Sequence, residues 1–140
     1  MKVSIVTPDK TLFEGEAVSA VLPAIDGEVG ILPRHARLIS RLGHGVARIE
    51  EKAGAPLKRV AIYGGFLKVQ DDVVTVLASG AAVRGPESPD QARKAAQDAE
   101  EQLKTLAAAK DTAPSALNDA REKLARAKAY LQLVNAGPAA

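Results

Sequence analysis

The sequence predicts a mostly β protein with an α appendage: an N-terminal β-sandwich followed by a C-terminal antiparallel two-helix hairpin. Three observations carry this expectation. Composition changes near Gly85–Pro89, from a stretch rich in Val, Ile and Gly to one rich in Ala, Lys, Arg, Glu and Gln, and glycine does not return until Gly137. Before the break, short apolar runs alternate with turn residues. After it, apolar positions recur every three or four residues. β-Branched residues suit a pleated surface, whereas Ala and straight-chain residues suit helices.

Taken in order, the runs give about ten strands. Val3–Val6 ends at Thr7-Pro8-Asp9, and Leu12-Phe13 precedes Glu14-Gly15. Val18–Leu22 ends at Pro23, and Val29–Leu32 lies between Gly27 and Pro33. Leu38–Leu42 runs into Gly43-His44-Gly45, read as a turn, and Val46–Ile49 stops before a polar stretch around Gly54. Val60–Tyr63 meets Gly64-Gly65, also read as a turn. Phe66–Val69 and Val73–Leu77 flank Gln70-Asp71-Asp72, a hairpin turn whose carboxylates are expected in solvent. Ala81–Val83 is the last run. No helix-length segment interrupts the series, which argues against parallel βαβ units.

The helical half opens on a capping box. Ser88 is the N-cap, Pro89 fits the first helical position, Asp90 suits the positive helix end, and Gln91 lies three residues after the cap. The stripe Ala92, Ala96, Ala99, Leu103, Leu106 predicts a helix to about Ala109, broken over Lys110–Pro114. A second helix starts at Thr112 or Ser115 with the stripe Leu117, Ala120, Leu124, Ala127, Leu131, Val134, and stops at Asn135-Ala136-Gly137-Pro138. The short connection makes the helices antiparallel neighbours. Their Ala-rich seam buries little apolar area, because each missing CH₂ removes about 0.8 kcal/mol. Such a hairpin is suited to opening. The expected domains are residues 1–85, a docking sandwich, and 86–140, a mobile helical hairpin.

Composition excludes several functions. There is no Cys, hence no disulfide framework or thiol nucleophile. No apolar run is long enough to span a bilayer, and no leader peptide is expected before the first strand. Net charge is +2. Residues 1–88 carry eleven Lys/Arg and ten Asp/Glu, whereas residues 115–140 carry four and two. The last helix is the basic element, with Arg121, Lys123, Arg126 and Lys128 close together. A nucleic-acid binder needs a broader basic surface and more aromatics than Phe13, Tyr63, Phe66 and Tyr130. The two histidines, His35 and His44, do not make a metal site with the ligands around them. No phosphate loop or nucleophile elbow is present. The chain is therefore expected to be non-catalytic, with no metal and no cofactor. One segment invites docking: Ala24–Leu38 combines charged residues with apolar Val29, Ile31 and Leu32 between glycines and a proline.

At this segment the chain resembles the epsilon subunits of F-type ATP synthases. The resemblance lies in Leu12-Phe13-Glu14-Gly15-Glu16-Ala17 and in Asp26-Gly27-Glu28-Val29-Gly30-Ile31-Leu32-Pro33-Arg34-His35-Ala36. It continues in Gly64-Gly65-Phe66-Leu67-Lys68-Val69 and Val73-Val74-Thr75-Val76-Leu77-Ala78, and it covers nearly the whole chain. It implies a ten-stranded N-terminal sandwich and a helical hairpin within a central rotor stalk. The implied partners are the gamma subunit, the c-subunit ring, and the alpha and beta subunits. Such a subunit couples proton flow to ATP synthesis without catalysing it. It sits at the cytoplasmic face of the bacterial inner membrane, peripherally and through the complex alone.

Residue by residue, the resemblance implies that Glu28 and His35 contact the c ring. Arg34 and Arg37 stand where the family often has Gly and Pro, and both offer further polar contacts to the ring's loops. The family's tail can extend into the catalytic head and inhibit ATP hydrolysis. On that footing Arg121, Lys123, Arg126 and Lys128 are candidates for meeting acidic segments of the beta subunits. Some members bind ATP through an Ile/Leu-Asp-x-x-Arg-Ala motif. Here Asp90 and Arg93 remain, but Pro89 and Lys94 replace the flanking positions, so ATP binding is expected to be weak. A second reading of the same architecture is a free-standing β-sandwich adaptor whose hairpin binds a coiled-coil partner.

Overall fold

The computed structural model describes residues 1–83, 89–109 and 111–135. Eight strands precede two helices: β1 (Lys2–Val6), β2 (Thr11–Glu16), β3 (Ser19–Ala24), β4 (Gly27–Ile31), β5 (Leu38–Glu50), β6 (Lys58–Gln70), β7 (Val73–Ala78), β8 (Ala81–Ala82), α1 (Pro89–Ala108) and α2 (Pro114–Asn135). The strands hydrogen-bond in the order β2-β1-β7-β6-β5-β3-β4, with β8 beside β6. All pairings are antiparallel except β1 with β7. That parallel contact needs no crossover helix, because most of the sandwich lies between the two strands in sequence.

The strand count corrects the ten expected runs, and the cause is specific. The two segments read as turns, Gly43-His44-Gly45 and Gly64-Gly65, lie inside strands of 13 residues each. They face one another across the β5–β6 ladder, with Leu42 opposite Gly65 and His44 opposite Tyr63. Gly64 and Gly65 have φ of 76° and 123°. These values change the phase of β6: Val60 and Ile62 point into the core before the glycines, Leu67 and Val69 after them. The glycines re-aim a continuing strand instead of reversing it. Long paired strands with a common bend carry the chain from one layer of the sandwich to the other.

The core between the layers is aliphatic. Val3, Ile5, Leu22, Ile31, Ile49, Ile62, Leu67, Val69, Val74 and Val76 are almost fully buried. Polar side chains contribute nothing to it among the described residues. The expected hairpin turn is present at Asp71-Asp72, both with positive φ (52° and 62°), a conformation that short Asp side chains tolerate. Asp72 is not simply solvated as expected. It accepts a hydrogen bond from the Arg34 backbone N–H at 2.9 Å and lies 3.8 Å from the N-terminal ammonium.

Both helices match their expected spans to within a residue or two. The Ser88 cap and the Ala136–Pro138 end of the expected stop lie outside the described residues. Ala92, Ala96 and Ala99 of α1 and Ala120 and Val134 of α2 are buried at the expected seam, while the leucines Leu103, Leu106, Leu117 and Leu124 are only half-buried. α1 packs chiefly on α2, and α2 packs on β5 and β6. Ala61 shows which face α2 covers. It alternates with Val60 and Ile62 and so points away from the core, yet it is fully buried. Ala129 and Leu133, outside the expected seam, are also buried. With Glu122 and Arg126 they form a second stripe on α2, polar at one end and apolar at the other, at spacings of four, three and four.

Candidate docking surfaces

The loop expected to dock forms one end of the sandwich. Gly27 turns β3 into β4 with φ of 131°, placing Glu28 opposite Pro23 in the ladder. The Glu28 carboxylate is exposed and pairs with Arg48 of β5 at 3.1 Å. After β4 the chain turns at Pro33-Arg34, and the His35 N–H donates to the Leu32 carbonyl at 3.2 Å. Arg34 takes a left-handed φ of 64°, held by its N–H bond to Asp72. Its side chain is exposed on this fixed backbone. The His35 ring lies against its own strand exit, Nδ1 at 2.7 Å from the Ala36 carbonyl, which makes Nδ1 the protonated nitrogen. The apolar tips Ile25 and Leu32 are 59% and 64% exposed. Glu28, Arg34 and His35 thus occupy one connected stretch, on a backbone tied to β5 and to the β6–β7 turn.

A second surface went unnoticed in the sequence. Register places Arg41 opposite Phe66 and Phe66 opposite Leu77, with Ile39 opposite Lys68. Directly paired residues share a face, and so do residues two apart on one strand, so Ile39, Phe66 and Leu77 lie as a diagonal apolar strip on the outward face of β5, β6 and β7, flanked by Arg41 and Lys68. The three are 70%, 55% and 53% exposed. The alternation of Phe66-Leu67-Lys68-Val69 announced a strand, but not that its outward residues would gather into a strip.

The hairpin cations are spread around α2. Arg121 and Lys128 are exposed. Lys123 donates to Gln102 of α1 at 3.3 Å. Arg126 faces the sandwich: its Nε donates to Glu122 at 2.9 Å and its guanidinium lies 5.2 Å above the Tyr63 ring. Burial pushes the Tyr63 hydroxyl pKa up and Tyr130 adds to this, against a smaller opposing pull from Arg126. For Glu122, burial acts to raise the carboxyl pKa, but hydrogen bonds from His44 and Arg126 and the charges beside it outweigh burial and hold it below the usual range. Asp90 and Arg93, the remnant of the nucleotide motif, pair with each other at 3.1 Å on the exposed face of α1. Among the described residues no group of three or more His, Cys, Asp or Glu is placed to hold a metal ion. Among the described residues no helix is long and apolar enough to cross a membrane.

The molecule is a sandwich with an exposed apolar strip, a charged loop fixed at one end and a helical hairpin folded on its side. Residues 1–84 match the beta-sandwich domain of the ATP synthase delta/epsilon chain. An ATP synthase epsilon chain from Leptospira borgpetersenii is 37% identical over 100 residues, spanning 71% of this chain and 77% of that one. Another, from a Nostoc species, is 33% identical over 128 residues, 91% of this chain and 93% of that one. The chain belongs to the ATP synthase epsilon chain family. The fold is shared with a chain in the Euglena gracilis mitochondrial ATP synthase assembly of OSCP, F1 and c-ring (TM-score 0.73, 19% identity, 90% of this chain and 76% of that one). It is also shared with a chain in the central stalk and c-ring of the Tetrahymena thermophila mitochondrial enzyme (TM-score 0.58, 13% identity, 96% of each chain).

Proposed function

We propose that this chain is a non-catalytic central-stalk subunit of a proton-translocating F-type ATP synthase, linking the gamma subunit to the c ring. Family membership supports the assignment, and the observation that carries the docking role is the exposed Ile39–Phe66–Leu77 strip. An aliphatic–aromatic surface on a rigid sheet gains by leaving water, by about 25 cal/mol per Å² covered. This strip is the gamma-facing surface. The loop with Glu28, Arg34 and His35 faces the ring, where a preset backbone presents charges to polar loops. The subunit is held peripherally at the cytoplasmic face of the bacterial membrane by these contacts. Replacing Phe66 and Leu77 together by Glu is expected to lower co-assembly with gamma at least tenfold, since two desolvated carboxylates would enter an apolar contact. The sandwich should still melt cooperatively, because both residues lie outside its core. Undiminished co-purification of the double variant with gamma would refute this assignment of the surface.

Residues 1–85 act as the docking domain and 86–140 as a hairpin that restrains ATP hydrolysis when it leaves the sandwich. Arg121, Lys123, Arg126 and Lys128 then meet acidic segments of the beta subunits. What favours this reading is the thin packing: buried positions along the hairpin are alanines except Leu133 and Val134. Changing Arg121, Arg126 and Lys128 to Glu is expected to raise ATP hydrolysis by the reconstituted complex severalfold while changing synthesis less. Close charge pairs in a protein-lined site are screened less than surface ones. Hydrolysis equal to that of the unaltered complex would mean that these charges do not meet the catalytic head.

A further inference from the structure

Two tight turns meet at the loop end of the sandwich, and each carries a side chain where glycine fits best. The first follows β4. Leu32-Pro33-Arg34-His35 is closed by the His35 N–H donating to the Leu32 carbonyl at 3.2 Å. Proline fixes a negative φ at the second position, and Arg34 at the third has φ of 64°. That combination is a type II turn, which favours glycine at the third position. The second turn joins β6 to β7. Gln70 pairs with Val73, which leaves Asp71 and Asp72 as a two-residue connection with φ of 52° and 62°. This is a type I′ turn, for which Asp-Gly is a preferred pair. One hydrogen bond joins the two unusual positions: the Arg34 N–H donates to Asp72 Oδ1 at 2.9 Å.

We propose that Asp72 is a positioning residue: its carboxylate selects the type II form of the Leu32–His35 turn and so sets how Arg34 and His35 are presented to the polar loops of the c ring. The proposal rests on the reading that this loop faces the ring. Type I and type II turns differ by a rotation of roughly 150–180° of the peptide between the second and third residues. In the type I form Arg34 would take a φ near about −90°, where a Cβ is comfortable. Left to itself, Pro33-Arg34 favours that form, because a Cβ opposes positive φ. The flip would also turn the Arg34 N–H away from Asp72. The turn's own hydrogen bond uses the His35 N–H, so the Arg34 N–H is available to an outside acceptor, and a carboxylate makes the bond charge-assisted. Asp72 is itself well anchored. The Lys2 N–H donates to its carbonyl at 3.1 Å, and its Oδ2 lies 3.8 Å from the Met1 nitrogen. Glycine at position 72 would suit the β6–β7 turn better but would remove the acceptor. The aspartate therefore serves the neighbouring turn more than its own.

The Asp72 side chain is 49% exposed, so water competes for the bond and the bias is about a three- to tenfold shift between the two turn forms. The nuclear Overhauser effect between Pro33 Hα and the Arg34 amide proton, strong in type II and weak in type I, reads the turn in the full-length chain. Affinity of the chain's complex with gamma for c rings in detergent reads the consequence, since binding weakens as the competent form is depleted. Asp72→Gly is expected to keep the sandwich melting cooperatively, weaken the Overhauser effect and lower ring affinity about two- to tenfold. Asp72→Asn keeps an acceptor and should restore both readouts. Arg34→Gly accepts positive φ unaided, so in that background Asp72→Gly should change neither, a non-additivity that marks the two residues as one device. An Overhauser effect that stays strong in Asp72→Gly, or an equal loss in the Arg34→Gly background, overturns the role of Asp72. A turn that flips while ring affinity holds overturns it alone if the charge reversal Glu28→Lys still weakens ring binding. If Glu28→Lys is also without effect, the ring-facing reading of the loop falls with it.

Discussion

Replacing Gly65 by Ala is expected to destabilise the sandwich by about 3–5 kcal/mol, a large part of the 5–15 kcal/mol that holds a domain together. Two independent causes add. Gly65 has a φ of 123°, a region essentially closed to residues with a Cβ, at a cost of about 1–3 kcal/mol. Its missing Cβ would also fall 2.2 Å from the Leu77 carbonyl oxygen, 2.7 Å from Ala78 Cα and 2.9 Å from the Ser79 nitrogen. All three are backbone atoms of the neighbouring strand exit, so no side chain can swing aside. Relief requires β6 and β7 to separate where the ladder ends at Gly65 and Ala78. Two other glycines divide the effect. Gly54 shares a positive φ (77°) but has open space around it, so Gly54→Ala should cost only about 1 kcal/mol. Gly30 has neither restriction, and Gly30→Ala should change stability by less than about 0.5 kcal/mol. Urea midpoints of the three variants test the ranking. A Gly65→Ala protein as stable as Gly30→Ala would mean that β6 and β7 do not approach so closely.

The same glycine shows where sequence reasoning stopped. Gly64-Gly65 between two apolar runs carries the signal of a turn, and so does Gly43-His44-Gly45. The local pattern reports that the chain must adopt unusual dihedrals. It does not report whether the strand reverses or bends and continues. That choice is made by the partner strand, because the two glycine segments lie side by side across the ladder. Elements with purely local causes were legible: the β-rich half, the Asp71-Asp72 turn, the helix spans and the Ala seam. Surfaces were legible only in part. The Glu28–His35 loop stands out in sequence because glycines, proline and charges crowd into it. The Ile39–Phe66–Leu77 strip draws on three strands, and its exposure depends on what covers each face. The cluster of His44, Tyr63, Glu122 and Arg126 was hidden for the same reason. Its two halves lie 78 residues apart in the His44–Glu122 contact, and nothing local ties a histidine between glycines to a glutamate on a helix. One signal was available: Glu122, Arg126, Ala129 and Leu133 recur at helical spacing, a second stripe beside the seam.

That second stripe sets the other large effect. Leu133→Ala is expected to release the hairpin from the sandwich without unfolding the sandwich. Leu133 is 1% exposed, and truncating a buried leucine to alanine costs about 2–5 kcal/mol. Where that cost falls depends on which contacts the residue makes. The sandwich core of Val3, Ile5, Leu22, Ile49, Ile62 and Val76 is complete without any helix residue. α2 packs on β5 and β6, and its residues off the interhelical stripe include the buried Ala129 and Leu133, the half-buried Tyr130, and Glu122 and Arg126, which contact His44 and Tyr63. Surface ion pairs of this kind contribute up to about 1 kcal/mol, and an alanine contributes little area, so Leu133 supplies the largest share of the docking energy. Once undocked, the two helices keep only their Ala-lined seam, and helices of 20 and 22 residues with so thin a contact are marginal in water. Hydrogen exchange should therefore accelerate by about tenfold or more along α2, each 1.4 kcal/mol of lost docking being one factor of ten. Exchange in β5, β6 and β7 should stay slow except at Ala61, whose outward face α2 covers. A chain ending at Val83 serves as the reference and should show the same slow strand amides. Uniform acceleration across strands and helices would instead mean one cooperative unit, with the hairpin part of the core and unable to move independently of it.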